Sequence, residues 1–184
     1  MGNIREAVAD DAPGILAIYN DVIATSTAIY SEDAQTLEDR LAWLSARRAQ
    51  KYPVLVARED NDVVGYASFG DFRAWPGYRF TVELGVYVRA DRRRRGIGSQ
   101  LVEALFPFAF QLEKHVMIAG VDAENAASIA LHEQLGFERV GHLHEVGFKF
   151  GRWLDLVLLQ RRVIPTLRKS HSVPGSAQDW SDGS

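Results

Sequence analysis

Val86-Tyr87-Val88-Arg89-Ala90-Asp91-Arg92-Arg93-Arg94-Arg95-Gly96-Ile97-Gly98-Ser99 constrains this chain more than any other stretch. A run of β-formers stops at Val88. A basic turn with two glycines one residue apart follows, and a helical pattern of apolar residues begins at Gln100. The first-turn N–H groups of such a helix have no acceptor within it, and the helix dipole places partial positive charge there. Glycine lets the backbone come close to an anion, and arginine adds charge. The stretch therefore implies a ligand that carries a diphosphate. Two common phosphate motifs do not fit. The dinucleotide fingerprint needs a third glycine three residues after Gly98, where Leu101 stands, and no Gly-Lys-Ser/Thr triplet occurs in the sequence.

The 184 residues suffice for one sizeable core. A net charge of −3 makes the arginine cluster a local feature on a slightly acidic body, which argues against a general nucleic-acid binder. The absence of cysteine excludes disulfides, thiolate nucleophiles and thiolate metal sites. No apolar run approaches membrane-spanning length and no signal-peptide core opens the sequence, so a cytoplasmic protein with no membrane partner is expected.

Along the sequence, Ile4 to Val8 reads as a strand, and Asp10 or Asp11 caps a helix with Pro13 in its first turn. Thr36 with Asp39 forms a capping box for a second helix that is expected to bury Leu37, Leu41 and Trp43 or Leu44. Val54–Ala57 and Val63–Phe69 form a hairpin, and Phe72–Gly77 is a loop. Thr81–Val88 is the strand that delivers the arginine turn. The helix after it contains Pro107, which is expected to kink it. His115–Val121 is a strand, Asn125–Leu135 a short helix stopped by Gly136, and Phe137–Val146 and Trp153–Leu159 are two last strands. The order β-α-α-β-β-β-α-β-α-β-β predicts an α/β (α+β) domain over 1–162, with a central twisted mixed sheet and helices on both faces. Residues 163–184, rich in Ser, Pro, Gly and Asp, are expected to be a flexible tail.

Two further positions carry chemistry. Glu83 interrupts an apolar strand, so it lines a cleft or faces water; in a cleft, burial would raise its pKa toward that of a useful base. Asn125, Ser128 and His132 fall near one helical face. That histidine either faces solvent or serves as a proton donor near neutral pH.

Arg93-x-x-Gly96-x-Gly98 resembles the pyrophosphate loop of the GNAT superfamily of N-acetyltransferases. The segment from Asn125 through His132 to Leu135-Gly136-Phe137 resembles its second coenzyme A element. The resemblance covers roughly Ile4 to Gln160. It implies a mostly antiparallel sheet and acetyl-CoA as co-substrate, with no metal.

Ile15–Asp21, Gly70–Arg73, Thr81-Val82-Glu83, Val86–Val88 and Gly147–Asp155 are similar to the phosphinothricin and methionine sulfone/sulfoximine N-acetyltransferases. That likeness implies Glu83 as general base and His132 as a second catalytic group. It implies cofactor contacts from Val86, Tyr87 and Val88, from Arg93, Arg94, Arg95, Gly96, Ile97, Gly98 and Ser99, and from Asn125 and Ser128. Acceptor contacts are expected from Phe72, Arg73, Ala74, Trp75, Phe80, Thr81 and Val82. The implied partner is a small amine, and the implied assembly a homodimer. Phe80 departs from the glycine common in close relatives and is expected to narrow the acceptor pocket. A protein N-terminus or a polyamine is the alternative acceptor, and a non-catalytic acyl-CoA sensor the alternative class.

Overall fold

The computed structural model describes residues 3–163. They run β1 (Asn3–Glu6), α1 (Ala12–Thr25), α2 (Leu37–Ala49), β2 (Val54–Glu59), β3 (Asp62–Asp71), β4 (Thr81–Val88), α3 (Ile97–Gln111), β5 (Val116–Asp122), α4 (Ala126–Gln134), β6 (Glu138–Lys149) and β7 (Arg152–Arg162). This is the expected order. The strands form one seven-stranded sheet in the order β1-β2-β3-β4-β5-β7-β6. Only β4 and β5 are parallel neighbours; every other pair is antiparallel.

Alternation explains the two helical layers. On β2, Leu55 and Ala57 join a core with α3 and α4, while Val54 and Val56 join a second core with α1 and α2. A strand buried on both faces needs cover on both. On β4 the even-numbered Val82 and Leu84 lie in the α3–α4 core, and Tyr87 packs on the α1–α2 core. Glu83, Gly85 and Tyr87 therefore share the α1–α2 face.

Some elements depart from the sequence reading. α3 starts at Ile97, three residues before the apolar stripe, because Gly96 (φ +78°) makes the left-handed turn and its C=O accepts from Gln100 N–H. α3 then runs unbroken across Pro107, which lies exposed. The capping box of α2 forms as read, with Thr36 Oγ1 accepting from Asp39 N–H at 3.2 Å. Leu37 and Leu41, however, are 43% and 39% exposed rather than buried. The inward position belongs to Arg40, whose guanidinium lies 4.0 Å over the Tyr19 ring and 4.7 Å over Trp43 and donates to Gln35. β6 extends past Val146 to Lys149, with breaks in register between Arg139 and Gly141 and between Leu143 and Gly147.

Lys149 ties the far edge of the sheet to α1. It is fully buried, and its ammonium donates to the carbonyls of Ile23 (2.7 Å), Ser26 (2.7 Å) and Ile29 (2.9 Å). Val163, expected to begin the tail, is buried, and its N–H donates to His115 C=O. The rest of that segment, 164–184, lies outside the described residues. Among the described residues no helix is long and apolar enough to cross a membrane.

Candidate active site

β4 and β5 pair only from Thr81 to Leu84 and from Val116 to Ala119. Beyond that point β4 stays with β3 through Val88, and β5 stays with β7 through Asp122. The two strands part, and a wedge opens between them. Arg89 N–H donates to Val64 C=O, and Phe72 N–H donates to Thr81 C=O, so the odd-numbered residues of β4 bond toward β3. Val86 and Val88 therefore turn their backbone groups into the wedge. Beneath it, a Cβ on Gly98 would stand 2.9 Å from Leu131 and 3.7 Å from Val88. Glycine thus lets α3 close onto α4 at the wedge floor.

The basic turn closes one end of the wedge. Among the described residues, the backbone N–H groups of Arg94, Arg95, Gly96, Ile97, Gly98 and Ser99 have no backbone acceptor. The arginines divide into two sets. Arg89 pairs with Asp91 and Asp62, and Arg92 with Glu59 and Asp91. Arg93 donates to Val88 C=O, and Arg94 and Arg95 are in no ion pair among the described residues. Positive charge is left over beside six open amides, which suits a diphosphate. A groove of about 660 Å³ flanks the turn on its outer side, between Arg95, Ile97 and Gln100 and the strand residues Arg5 and Arg58.

Glu83 sits where the strands part. Its Oε1 is 3.0 Å from where a Cβ on Gly120 would stand, so the glycine of β5 makes room for the carboxylate. The Glu83 side chain is exposed to solvent, yet the protein packed beside its carboxyl desolvates it and pushes its pKa up, opposed by the Arg73 cation. Tyr87 folds back over Gly85; a Cβ there would lie 3.3 Å from the Tyr87 hydroxyl. Burial, with contributions from Tyr19 and Glu83, pushes that phenol up to about 12, so it stays protonated.

On α4, Asn125 Oδ1 caps the helix by accepting from Ser128 N–H at 3.1 Å. Its amide nitrogen is in no hydrogen bond among the described residues. His132 is 2% exposed and lies edge-on to Phe137 at 5.2 Å. Its Nδ1 is 2.8 Å from Ser128 C=O, which assigns the proton to Nδ1 and leaves Nε2 a buried lone pair without a partner among the described residues. Burial lowers its pKa. Of the two expectations for this histidine, its burial excludes the solvent-facing one, and the lowered pKa favours the neutral ring.

The expected acceptor residues are less uniform. Arg73, Ala74, Trp75 and Phe80 are exposed, and Thr81 is half-buried. The Arg73 guanidinium lies 5.0 Å over the half-buried Phe72 ring. Phe80 C=O accepts from both His115 and Val116 N–H and so starts β5. Val82 does not belong with them: its side chain is fully buried in the α3–α4 core, on the face opposite Glu83. Sequence reasoning missed Gly120. A glycine inside an apolar strand marks a close approach, and here the approaching group is the Glu83 carboxylate.

A parted parallel pair, an amide-rich basic turn at one end and a carboxylate beside the gap make an arrangement that suits an acyl-CoA ligand. The profile of the Acetyltransferase (GNAT) family matches residues 15–137, and the chain belongs to this family of acetyltransferases. It is 51% identical over 165 residues to an L-methionine sulfoximine/L-methionine sulfone acetyltransferase of Pseudomonas paraeruginosa, covering 89% of this chain and 96% of the relative. A phosphinothricin acetyltransferase of Sinorhizobium meliloti, solved with AcCoA, superposes with a TM-score of 0.84 at 36% identity, covering 88% of each protein. A ribosomal-protein-alanine N-acetyltransferase of Brucella melitensis superposes with a TM-score of 0.86 at 49% identity, covering 87% of this chain and 99% of that one.

Proposed function

We propose that this enzyme transfers the acetyl group of acetyl-CoA directly to the α-amino group of a small amino-acid-like acceptor of the methionine sulfoximine, methionine sulfone or phosphinothricin type. The names of two of the relatives support that acceptor class. The observation that carries the reading is the Glu83 carboxylate, with its raised pKa, at the mouth of a wedge where the backbone of β4 is unpaired with β5.

The thioester supplies an activated acyl carbon; everything else falls to this protein. The amides from Arg94 to Ser99, with Arg93, Arg94 and Arg95, grip the diphosphate. Val86 and Val88 present backbone groups to the pantetheine, and an N–H in the wedge stabilises charge that grows on the carbonyl oxygen. The free amide nitrogen of Asn125 and the Ser128 hydroxyl face the same ligand. Glu83 takes the proton from the amine as its nitrogen bonds to the acyl carbon. The C–S bond breaks, and the sulfur leaves with a proton. His132 serves as a relay that closes the proton balance: its bare Nε2 takes up, through solvent in the gap, the proton that the amine released to Glu83 and passes it to sulfur. Arg73, close enough to shift Glu83, pairs with the acceptor's carboxylate or phosphinate.

The name of the Brucella relative favours a second acceptor, a protein N-terminus starting with alanine. Arg73 separates the two, because a free amino acid carries an anion next to its amine and a peptide N-terminus does not. A polyamine would be repelled by the same cation. The test is thiol release with methionine sulfone, methionine sulfoximine, phosphinothricin, spermidine and alanine-initiated peptides. The proposal expects the first three to be turned over with a kcat/KM at least tenfold above the rest. Faster peptide turnover would transfer the assignment, and acetyl-CoA binding without thiol release from any amine would leave a sensor.

We also propose a homodimer. The β6–β7 ribbon lies at the sheet edge and exposes Val140, Leu143, Val146, Phe148, Phe150 and Trp153, each by 42% or more.

A further inference from the structure

His142 and His144, two residues apart on β6, share one face of the strand. Asp155 reaches the same face from β7, since His142 pairs with Val157, two residues along from Asp155. Register slips between Leu143 and Gly147, and Glu145 adopts φ +53°, so β6 bulges where His144 meets Asp155. His142 Nε2 and His144 Nδ1 each lie 2.9 Å from Asp155 Oδ2, and the two rings stand 4.3 Å apart. The three ligand atoms lie within 4.8 Å of one another.

The carboxylate is held in place from other sides. Its Oδ1 accepts from Glu145 N–H at 2.8 Å. The backbone carbonyl of Asp155 accepts from Ala123 N–H at 3.0 Å and from the Tyr30 hydroxyl at 2.9 Å. An oriented carboxylate is what a metal site requires of its supporting contacts.

We propose that His142, His144 and Asp155 form a binding site for a borderline divalent transition-metal ion, Zn²⁺ foremost, with a further coordination position open to water. Two imidazoles and a carboxylate suit such an ion, and three protein ligands leave room for solvent. Donors at Zn²⁺ bond lengths stand about 3.0–3.4 Å apart, so the two 2.9 Å separations from Asp155 need only small shifts, while the two histidine nitrogens, within 4.8 Å of each other, close in by rotation of their exposed rings. The histidines are 48% and 75% exposed, which gives the ion an entry path. The ion takes the lone pairs of His142 Nε2 and His144 Nδ1, so in the bound state each ring carries its proton on the nitrogen facing away. The site uses no residue of the wedge. The sequence reading, which expects no metal, missed it because Asp155 lies 13 and 11 residues from the two histidines and meets them only across the bulge.

The test is calorimetric titration of metal-free full-length protein with Zn²⁺, paired with the visible spectrum of the Co²⁺-substituted protein. One ion per protomer with a Kd at or below about 10 µM is expected, together with a Co²⁺ d–d band. The double variant His142→Gln/His144→Gln should bind at least tenfold more weakly and lose the band, while keeping its circular dichroism and its thiol-release rate. His115→Gln, as a control, should bind like the unaltered protein. Equal affinity in the unaltered protein and the double variant, or no saturable binding, overturns the proposal.

Discussion

Glu83 and Arg73 carry opposite influences on one proton. Burial favours the neutral acid of Glu83, and the Arg73 cation favours the carboxylate. The base must be deprotonated to work, so kcat/KM should rise with pH through a limb displaced above the ordinary glutamate range. Removing the cation in Arg73→Ala should move that limb to still higher pH and raise the acceptor's KM, which pH-dependent steady-state kinetics will read. Glu83→Gln should lower kcat by about 10²-fold or more with little change in acetyl-CoA affinity. Unchanged turnover would remove Glu83 from its role. His132 follows a different logic, because its Nδ1 proton is committed to Ser128 and its Nε2 is bare. His132→Gln should lower kcat by roughly tenfold while acetyl-CoA binding, measured by calorimetry, holds.

At the scale of elements, one junction shapes the site and another holds the fold together. Gly96 adopts φ +78° to launch α3, with its amide among the open set. Gly96→Ala forces a side chain into the left-handed region at a cost of about 1 kcal/mol and should weaken acetyl-CoA binding by several-fold, measurable by titration. Lys149 joins β6 to the end of α1 through three carbonyls. Lys149→Met keeps the bulk but strands those acceptors, so a loss of about 3 kcal/mol is expected in denaturant unfolding. The capping box at Thr36 was readable because its partners are three residues apart. The inward face of α2 was not. Leucine spacing pointed to Leu37 and Leu41, yet the aromatic rings of Tyr19 and Trp43 take the Arg40 guanidinium instead, and those rings come from two different helices.

For the whole molecule, the exposed apolar ribbon predicts self-association. Light scattering after size exclusion should give twice the protomer mass. Trp153→Arg, at a site 62% exposed and edge-on to Phe148 at 5.0 Å, should shift the protein toward monomer with its fold intact. The order of elements, the candidate anion-binding turn and the candidate base could all be read from contiguous residues, because strand alternation, helix caps and glycine turns are local physics. Tertiary structure alone decided that β4 and β5 part after Leu84, that Arg89 and Arg92 are consumed by ion pairs while Arg93 to Arg95 are spared, and that Val82 and Glu83 face opposite layers. It also gathered His142, His144 and Asp155 across a bulge. Those outcomes depend on the register of strands far apart in sequence, and register is settled only when the two cores close around the sheet.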